Sequence, residues 1–513
     1  MCILSNIPPH SFVPQGISHK KTDTCPTVKV ISRKVTMYVE PERVFLHLFA
    51  KETYTYWLDS NHVESNLSRF SFMGTNDGPL SRVISYETAT KQIKIKDSTG
   101  QTEVTESIFD YLDRELYSMQ QESTELPFDF NGGFVGYFGY ELKAECGASL
   151  HHTAATPDAM FIYADRLLAF DHQEKCIYLV SIVPIHDPAS ADLWFESMEQ
   201  KLKNLPLQPA LEIPNTGDVK QPLSFHLSQS HSQYVDSIEA CKQYILDGET
   251  YEICLTNRIH TRENFDPMLT YRILREINPA PYSAFFKFHD LSILCSSPER
   301  FLKIDQNRLV EAKPIKGTIA RGSDSEEDMR LAEQLRSSEK DRAENLMIVD
   351  LLRNDLGLVC ETGSIRVPKL MAIESYQTVH QMVSTIQGTL RPELSGIDCI
   401  RAAFPGGSMT GAPKLRTMTF IDELETNARG IYSGAIGFLG LNGTIDLNIV
   451  IRTIVMSPQT TTIGVGGAIV SLSDPEQEFE EILLKGHALI KALTISRYGK
   501  FDDQLWTLHE TKA

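Results

Sequence analysis

The chain has 513 residues, 42% of them hydrophobic, enough for a large buried core and, at ordinary domain sizes, roughly three domains. Its formal net charge of −18 excludes a nucleic-acid footprint and weighs against an anionic membrane surface, so an anionic substrate must meet locally built positive charge. Nine cysteines without a C-x-x-C pair make neither a disulfide framework nor a zinc site. The start lacks the basic and apolar regions of a signal peptide and no apolar run spans a bilayer, so a cytoplasmic protein is expected, without nucleic acid or membrane among its partners.

In chain order, residues 1–27 read as an irregular, proline-rich lead-in, and residues 28–204 as a first segment. Within it, strands are predicted over 68–74, 93–96, 160–170 and 176–183, with an amphipathic helix over 108–119. Asn131-Gly-Gly-Phe-Val-Gly-Tyr-Phe-Gly-Tyr140 repeats glycine among aromatics, a pattern of close backbone approach rather than of a nucleotide loop. Residues 205–224, with Pro206, Pro209, Pro214 and Pro222, suit neither helix nor central strand and read as a linker.

A second segment, 225–500, precedes a tail at 501–513. Ser232 can cap a helix whose apolar stripe is Tyr234, Ile238, Cys241 and Ile245, stopped at Gly248. Strands are predicted over 251–260, 283–288, 291–296 and 309–315, then helices over 326–336 and 340–353. A hairpin over 431–456, a strand over 462–471 and a helix over 475–494 complete the segment.

Chemistry concentrates in Glu311-Ala-Lys-Pro-Ile-Lys-Gly-Thr-Ile-Ala-Arg-Gly322. Alternation puts Lys316 on one face with Pro314, Ala312 and Val310, while Glu311 and Lys313 take the other. An amine on the apolar side is desolvated, which lowers its pKa; the plain alternative is a lysine that snorkels to solvent. Two helices carry acids. Asp341 and Glu344 sit three apart behind a capping Ser338, and Glu478, Glu481 and Lys485 form a polar stripe behind Asp474-Pro475. Either set alone can be structural, as a capping box or an exposed ion pair. Facing one another, they require a cation, and oxygen-only donors suit Mg²⁺. Pro405-Gly-Gly-Ser-Met-Thr-Gly-Ala-Pro-Lys414 is not a Walker loop, since Pro413 stands where glycine is needed, but its N–H groups can hold a carboxylate.

Taken together, Gly133-Phe-Val-Gly-Tyr-Phe-Gly-Tyr-Glu141, Ser297-Pro-Glu-Arg-Phe301, Pro314-Ile-Lys-Gly-Thr318, Asp341 to Asp350 with Arg353-Asn-Asp355, the 405–414 loop and Glu478-Phe-Glu-Glu481 resemble the chorismate-using enzymes from about Val28 to Tyr498. The resemblance implies an α+β fold of two packed antiparallel sheets surrounded by helices, of the anthranilate synthase component I type, with N- and C-terminal segments interleaved. It implies that Glu344 and Glu481 ligate Mg²⁺, with Asp341 and Glu478 nearby through water, and that the metal holds the ring carboxylate. Gly317, Thr318, Tyr432, Arg452 and a Gly466-Gly467-Ala468 turn match substrate-contacting positions, and Lys485 and His380 match further cavity positions.

Arg452 also reads independently. Its strand neighbours Val450 and Ile454 are apolar, so an inward guanidinium needs an anionic partner such as a dicarboxylate. Tyr432 shares its face only if the hairpin turns through a three-residue loop, Leu441 to Gly443, with Gly443 left-handed; a two-residue turn pairs Arg452 with Ser433 instead. Alanine at 468, where relatives carry glycine, would be strained if that turn needed a positive φ.

Two positions choose among the family's reactions. Members that add water carry a base lysine where this chain has Ile253, and anthranilate-forming members carry alanine where it has Lys316. The Pro-Ile-Lys-Gly-Thr form resembles that of the branch making 4-amino-4-deoxychorismate, which implies a place in 4-aminobenzoate and folate synthesis. There the implied mechanism is covalent, with Lys316 as nucleophile and Glu299 as general acid. No cysteine-centred elbow offers glutaminase chemistry, so ammonia is expected from a partner glutamine amidotransferase subunit. Ser60, Leu67 to Phe70 and Pro281-Tyr-Ser283 match a tryptophan pocket of relatives, with structural filling the equal alternative. Anthranilate formation, or ligand binding without turnover, are the alternatives.

Overall fold

The computed structural model describes residues 27–60, 69–121, 126–207, 211, 213–214, 221–376 and 379–510. Strands with alternating burial assemble into two large sheets, one of thirteen strands and one of twelve, almost wholly antiparallel, flanked by helices. Both sheets draw on both ends of the chain. Tyr54–Asp59 pairs with Tyr282–Phe288 in the larger sheet, and Gly133–Phe138 with Ala435–Gly440 in the smaller. The α+β interleaved architecture is therefore as expected. The predicted close approach also holds: a Cβ on Gly136 would lie 2.0 Å from the Met160 carbonyl oxygen, so only glycine fits between those strands.

Helix boundaries follow their caps. Ser338 caps Glu339–Gly357, accepting from the Asp341 amide at 3.3 Å, and Asp474 caps Pro475–Tyr498, which ends at left-handed Gly499. The helix expected behind Ser232 begins two residues earlier, because Ser230 makes a reciprocal capping box with Gln233.

Several expectations change. Residues 160–170 are not one strand: Ala159–Ala164 lies in the smaller sheet and Arg166–Asp171 in the larger, with Asp165 at the crossing. The 431–456 hairpin divides likewise. Ala435–Gly440 and Ile445–Ile449 pair in the smaller sheet, then the chain crosses through Val450, Ile451 and Arg452 into Thr453–Met456 of the larger. Residues 501–513 are not simply a tail, since Trp506–Glu510 adds a parallel strand beside Leu223–Leu227, which begins inside the stretch read as a linker. The apolar faces of Phe225, Leu223 and Trp506 make this last strand worth ordering. The lead-in lies outside the described residues apart from Thr27, and among the described residues no helix is long and apolar enough to cross a membrane.

A buried polar knot joins these parts. Arg429 forks onto Glu425 at 2.7 and 2.9 Å, and donates to the Met409 and Cys254 carbonyls at 2.6 and 2.7 Å. Glu425 in turn accepts from the Thr256 amide and hydroxyl. Removing one member strands the other's charge in the core. Arg429→Met is expected to lower unfolding free energy by about 3–5 kcal/mol, read as a shifted urea midpoint at constant slope.

Candidate active site

Lys316 lies on the buried side of its strand with Val310, Ala312 and Pro314, while Glu311, Lys313 and Ile315 are partly exposed, as the alternation requires. The strand Ile315–Ala320 runs on through Gly317, where a φ of +83° and a register shift between Ile315 and Thr318 let the chain bulge against the Asp341 helix. A Cβ at Gly317 would sit 2.8 Å from the Asp341 carboxyl carbon, so glycine at 317 is what permits the contact.

The Lys316 amine donates to Glu252 Oε1 at 2.6 Å and lies 3.8 Å from Glu344 Oε2. Sequence reasoning missed Glu252. Its signal was an acid alternating with Cys254 and Thr256 along one face of a strand, Glu252–Thr261, that is buried on both sides. Ile253, one residue on, faces the opposite core. The expected lowering of the lysine pKa is overturned: burial does push the ammonium down, but Glu252 and Glu344 together outweigh it and hold Lys316 above the ordinary lysine range.

Glu299 stands between Leu291–Ser297 of the larger sheet and Arg300–Ile304 of the smaller. It does not pair with Arg300, which forks onto Asp446 and Glu311. Burial raises its carboxyl to about 7, opposed by the Ser408 hydroxyl and the nearby Lys316 charge. Ser408 comes from the glycine-rich loop, another contributor the sequence did not single out. The loop's Lys414 is a tether, donating to Asp355 at 2.6 Å and to the Ala403 carbonyl at 2.7 Å, which accounts for both motif residues without a phosphate.

The two acidic helices meet across a lysine. Lys340 is 2.9 Å from Glu478 Oε1 and 4.0 Å from Glu344 Oε1. Burial, with Glu252 and Asp341 adding repulsion, raises Glu344 to about 7 against the pull of Lys316 and Lys340. Glu481 goes the other way: burial would raise it, but Lys485 at 2.6 Å, with Lys340 and Lys316, lowers it below the usual carboxylate value. As the side chains stand, no three such donors among the described residues converge on one point. The donor chemistry nonetheless fits a hard dication: all ligands are carboxylate oxygens, and the Lys340 ammonium already occupies a cation position between the two helices.

Gly466, Gly467 and Ala468 are not a turn. They lie within the regular strand Thr461–Ile469, opposite Thr256, Leu255 and Cys254, and Ala468 has no left-handed backbone, so alanine there is unstrained. Lys485 donates to the Gly466 carbonyl at 2.9 Å. The Leu441–Asn442–Gly443 loop forms as the register demands, with Gly443 at φ +81° and Ser433 bonded to Val450 rather than paired with Arg452. Tyr432 and Arg452 are electrostatic neighbours, and the Tyr432 ring lies where a Cβ on Gly464 would be, 2.1 Å from its Cγ. Arg452 sits at φ +51° where the chain changes sheets, and its guanidinium has no hydrogen-bond or ion-pair partner among the described residues. Burial lowers its pKa despite Tyr432 and Glu481.

Two expected positions stand apart. His380 spends both ring nitrogens, on Ser375 at 2.7 Å and Asp328 at 2.9 Å, and so ties its strand to the Ser325–Ser337 helix. The Thr318 side chain is exposed. Ser60, Phe70, Pro281, Tyr282 and Ser283 line a cavity of about 1040 Å³; Leu67 and Ser68 lie outside the described residues.

Two interleaved sheets bring together buried Lys316 and the acids Glu252, Glu299 and Glu344, with buried Arg452, unpaired among the described residues, where the chain changes sheets. Residues 68–491 match the family described as chorismate binding enzyme, and the chain belongs to that family. The probable chloroplastic aminodeoxychorismate synthase of Oryza sativa subsp. japonica is 47% identical over 490 residues, covering 88% of this chain and 55% of that protein. The aminodeoxychorismate synthase of Streptomyces pristinaespiralis is 46% identical, covering 91% and 65%. Among solved structures, anthranilate synthase component I from Streptococcus pneumoniae superposes with a TM-score of 0.70 at 31% identity, over 90% of this chain and 98% of that one. The chain thus spans between about half and two thirds of the length of these two curated relatives.

The raised Glu299 makes a signed pH prediction. Its folded pKa of about 7 exceeds the ordinary 4.5, so its contribution to stability is full below pH 4.5 and is lost as pH rises through 7. Glu299→Gln cannot ionise and escapes that loss. By urea unfolding the variant should equal wild type near pH 4 and exceed it by about 1–3 kcal/mol at pH 8.

Proposed function

We infer that this chain converts chorismate and ammonia to 4-amino-4-deoxychorismate. The observation that carries the reading is the buried Lys316 amine, hydrogen-bonded to one acid, within 4 Å of a second and charge-coupled to a third, Glu299, whose pKa is near neutral. The Lys316 proton passes to Glu252, and the freed amine attacks ring C2. Both ring double bonds shift, C1=C2 to C1=C6 and C5=C6 to C4=C5, as the C4–O bond breaks and the hydroxyl leaves as water with a proton from Glu299. Ammonia then adds at C4 and gives a proton back to Glu299, both double bonds return, and the C2–N bond breaks to expel Lys316, which recovers its proton from Glu252, with the pyruvyl ether intact. Arg452, beside Tyr432, receives a substrate carboxylate in place of the partner it lacks. Glu344 and Glu481 would hold Mg²⁺, with Asp341 and Glu478 supporting it; bound there, the ion supplies positive charge for the ring carboxylate.

Ammonia has to be delivered. All seven cysteines among the described residues have thiols raised by burial, so none offers the thiolate that glutamine hydrolysis requires. A glutamine amidotransferase partner is the proposed source, and ammonium salts should replace it. The product would then pass to a pyruvate-eliminating step toward 4-aminobenzoate and folate, in the cytoplasm.

Product analysis tests the reading. With chorismate, Mg²⁺ and ammonium, wild type should yield an amino product that retains the pyruvyl ether; release of pyruvate with anthranilate would establish the other reaction. Lys316→Ala should bind chorismate while its 4-amination rate falls by about 10²-fold or more. An unchanged rate would remove the covalent step.

A further inference from the structure

Lys340 is poorly placed for its own helix. It stands in the first turn of Glu339–Gly357, where the helix end is positive and cations are disfavoured. It also precedes Glu344 by four residues, the weaker order for a helical ion pair. What accounts for it lies across the gap between the acidic helices. The ammonium is 2.9 Å from Oε1 of Glu478, in the first turn of Pro475–Tyr498, and 4.0 Å from Oε1 of Glu344.

Glu478 depends on that contact. Its side chain is 3% exposed, and its Oε1 accepts from Lys340 and, at 2.7 Å, from the Ser473 hydroxyl. Among the described residues no other cation pairs with it. Glu344, Glu478 and Glu481 each have an ammonium beside them, but the three lysines are held differently. Lys316 is buried, and Lys485 is tied to the Gly466 carbonyl at 2.9 Å as well as to Glu481. Lys340 is 41% exposed and held, among the described residues, by carboxylates alone, so its long stem can carry the charge out to solvent.

We propose that Lys340 is a built-in competitor for the dication: it neutralises Glu344 and Glu478 in the metal-free chain and swings out when Mg²⁺ enters between the helices. This rests on the reading, given above, that these acids hold Mg²⁺. The lysine cannot stay as the ion enters, since two cations would then lie within a few ångström of each other in a partly desolvated gap. While it is in place, Glu478 is spared the penalty of a buried, unpaired charge. The consequence falls on metal affinity, because loading the site breaks the 2.9 Å charge-assisted bond. A merely structural ion pair would leave that affinity unmoved when its charge is removed.

Calorimetric titration of the full chain with Mg²⁺ at pH 8, where Glu344 is ionised, tests this on wild type, Lys340→Met and Lys340→Arg. Methionine keeps the length and removes the charge, and should tighten Mg²⁺ binding by about ten-fold or more, one charge-assisted hydrogen bond no longer being broken. Arginine keeps the charge and should stay close to wild type. The metal-free Tm of Lys340→Met should fall, and Mg²⁺ should raise it by more than it raises that of wild type. In wild type, Mg²⁺ should increase acetylation of Lys340 by an amine reagent, read by peptide mass spectrometry. Equal or weaker Mg²⁺ binding by Lys340→Met, or Lys340 labelling unmoved by Mg²⁺, would overturn the competition and leave the carboxylate site standing. No saturable Mg²⁺ uptake by any of the three proteins would overturn that site, and the competition with it.

Discussion

The structure turns on one ion pair that crosses between its sheets. Lys316 belongs to the smaller sheet and Glu252 to the larger, and their 2.6 Å contact closes the gap between the two. Taking an amine and a carboxylate out of water is expensive, and the pair is tolerable only because each has the other, with Glu344 adding a second negative charge. Glu252 Oε2 still lacks a partner, so the pair is incompletely satisfied and retains capacity for one more donor.

Other chemistry-bearing residues share the location. Glu299 and Arg452 both lie where the chain leaves one sheet for the other. Such crossings interrupt ladder bonding, leave irregular backbone, as at left-handed Arg452, and point side chains inward from two directions. The lysines then sort the acids. Glu481, with its own Lys485, stays below the usual carboxylate value, while Glu299 and Glu344 are held near neutrality by burial. Acids of unlike proton affinity around one buried amine are what proton transfer at neutral pH needs.

Much of this was legible in the sequence wherever a short-range rule applied. The buried face of Val310, Ala312, Pro314 and Lys316, the Ser338 and Asp474 caps, and the Leu441–Gly443 loop each follow from period, cap or turn chemistry. Partners were not legible. Period-2 alternation says which way Lys316 points but not that Glu252, 64 residues earlier and in the other sheet, will meet it. Without that acid, desolvation alone sets the sign of the lysine's pKa, and the sign comes out wrong. Sheet crossings at Asp165 and Arg452 hid inside apolar runs that read as continuous strands, whereas the Gly466–Ala468 turn came from the family resemblance and gives way to the strand that the residue pattern predicted over 462–471.

The central claim is that the Lys316 nitrogen becomes bonded to the ring during turnover. Peptide mass spectrometry of wild type quenched with chorismate and Mg²⁺, ammonium withheld, addresses that bond directly. An adduct of chorismate less one water, confined to the peptide carrying Lys316 and discharged when ammonium is added, is the predicted result. Turnover to the amino product with residue 316 unmodified at every quench time would contradict it.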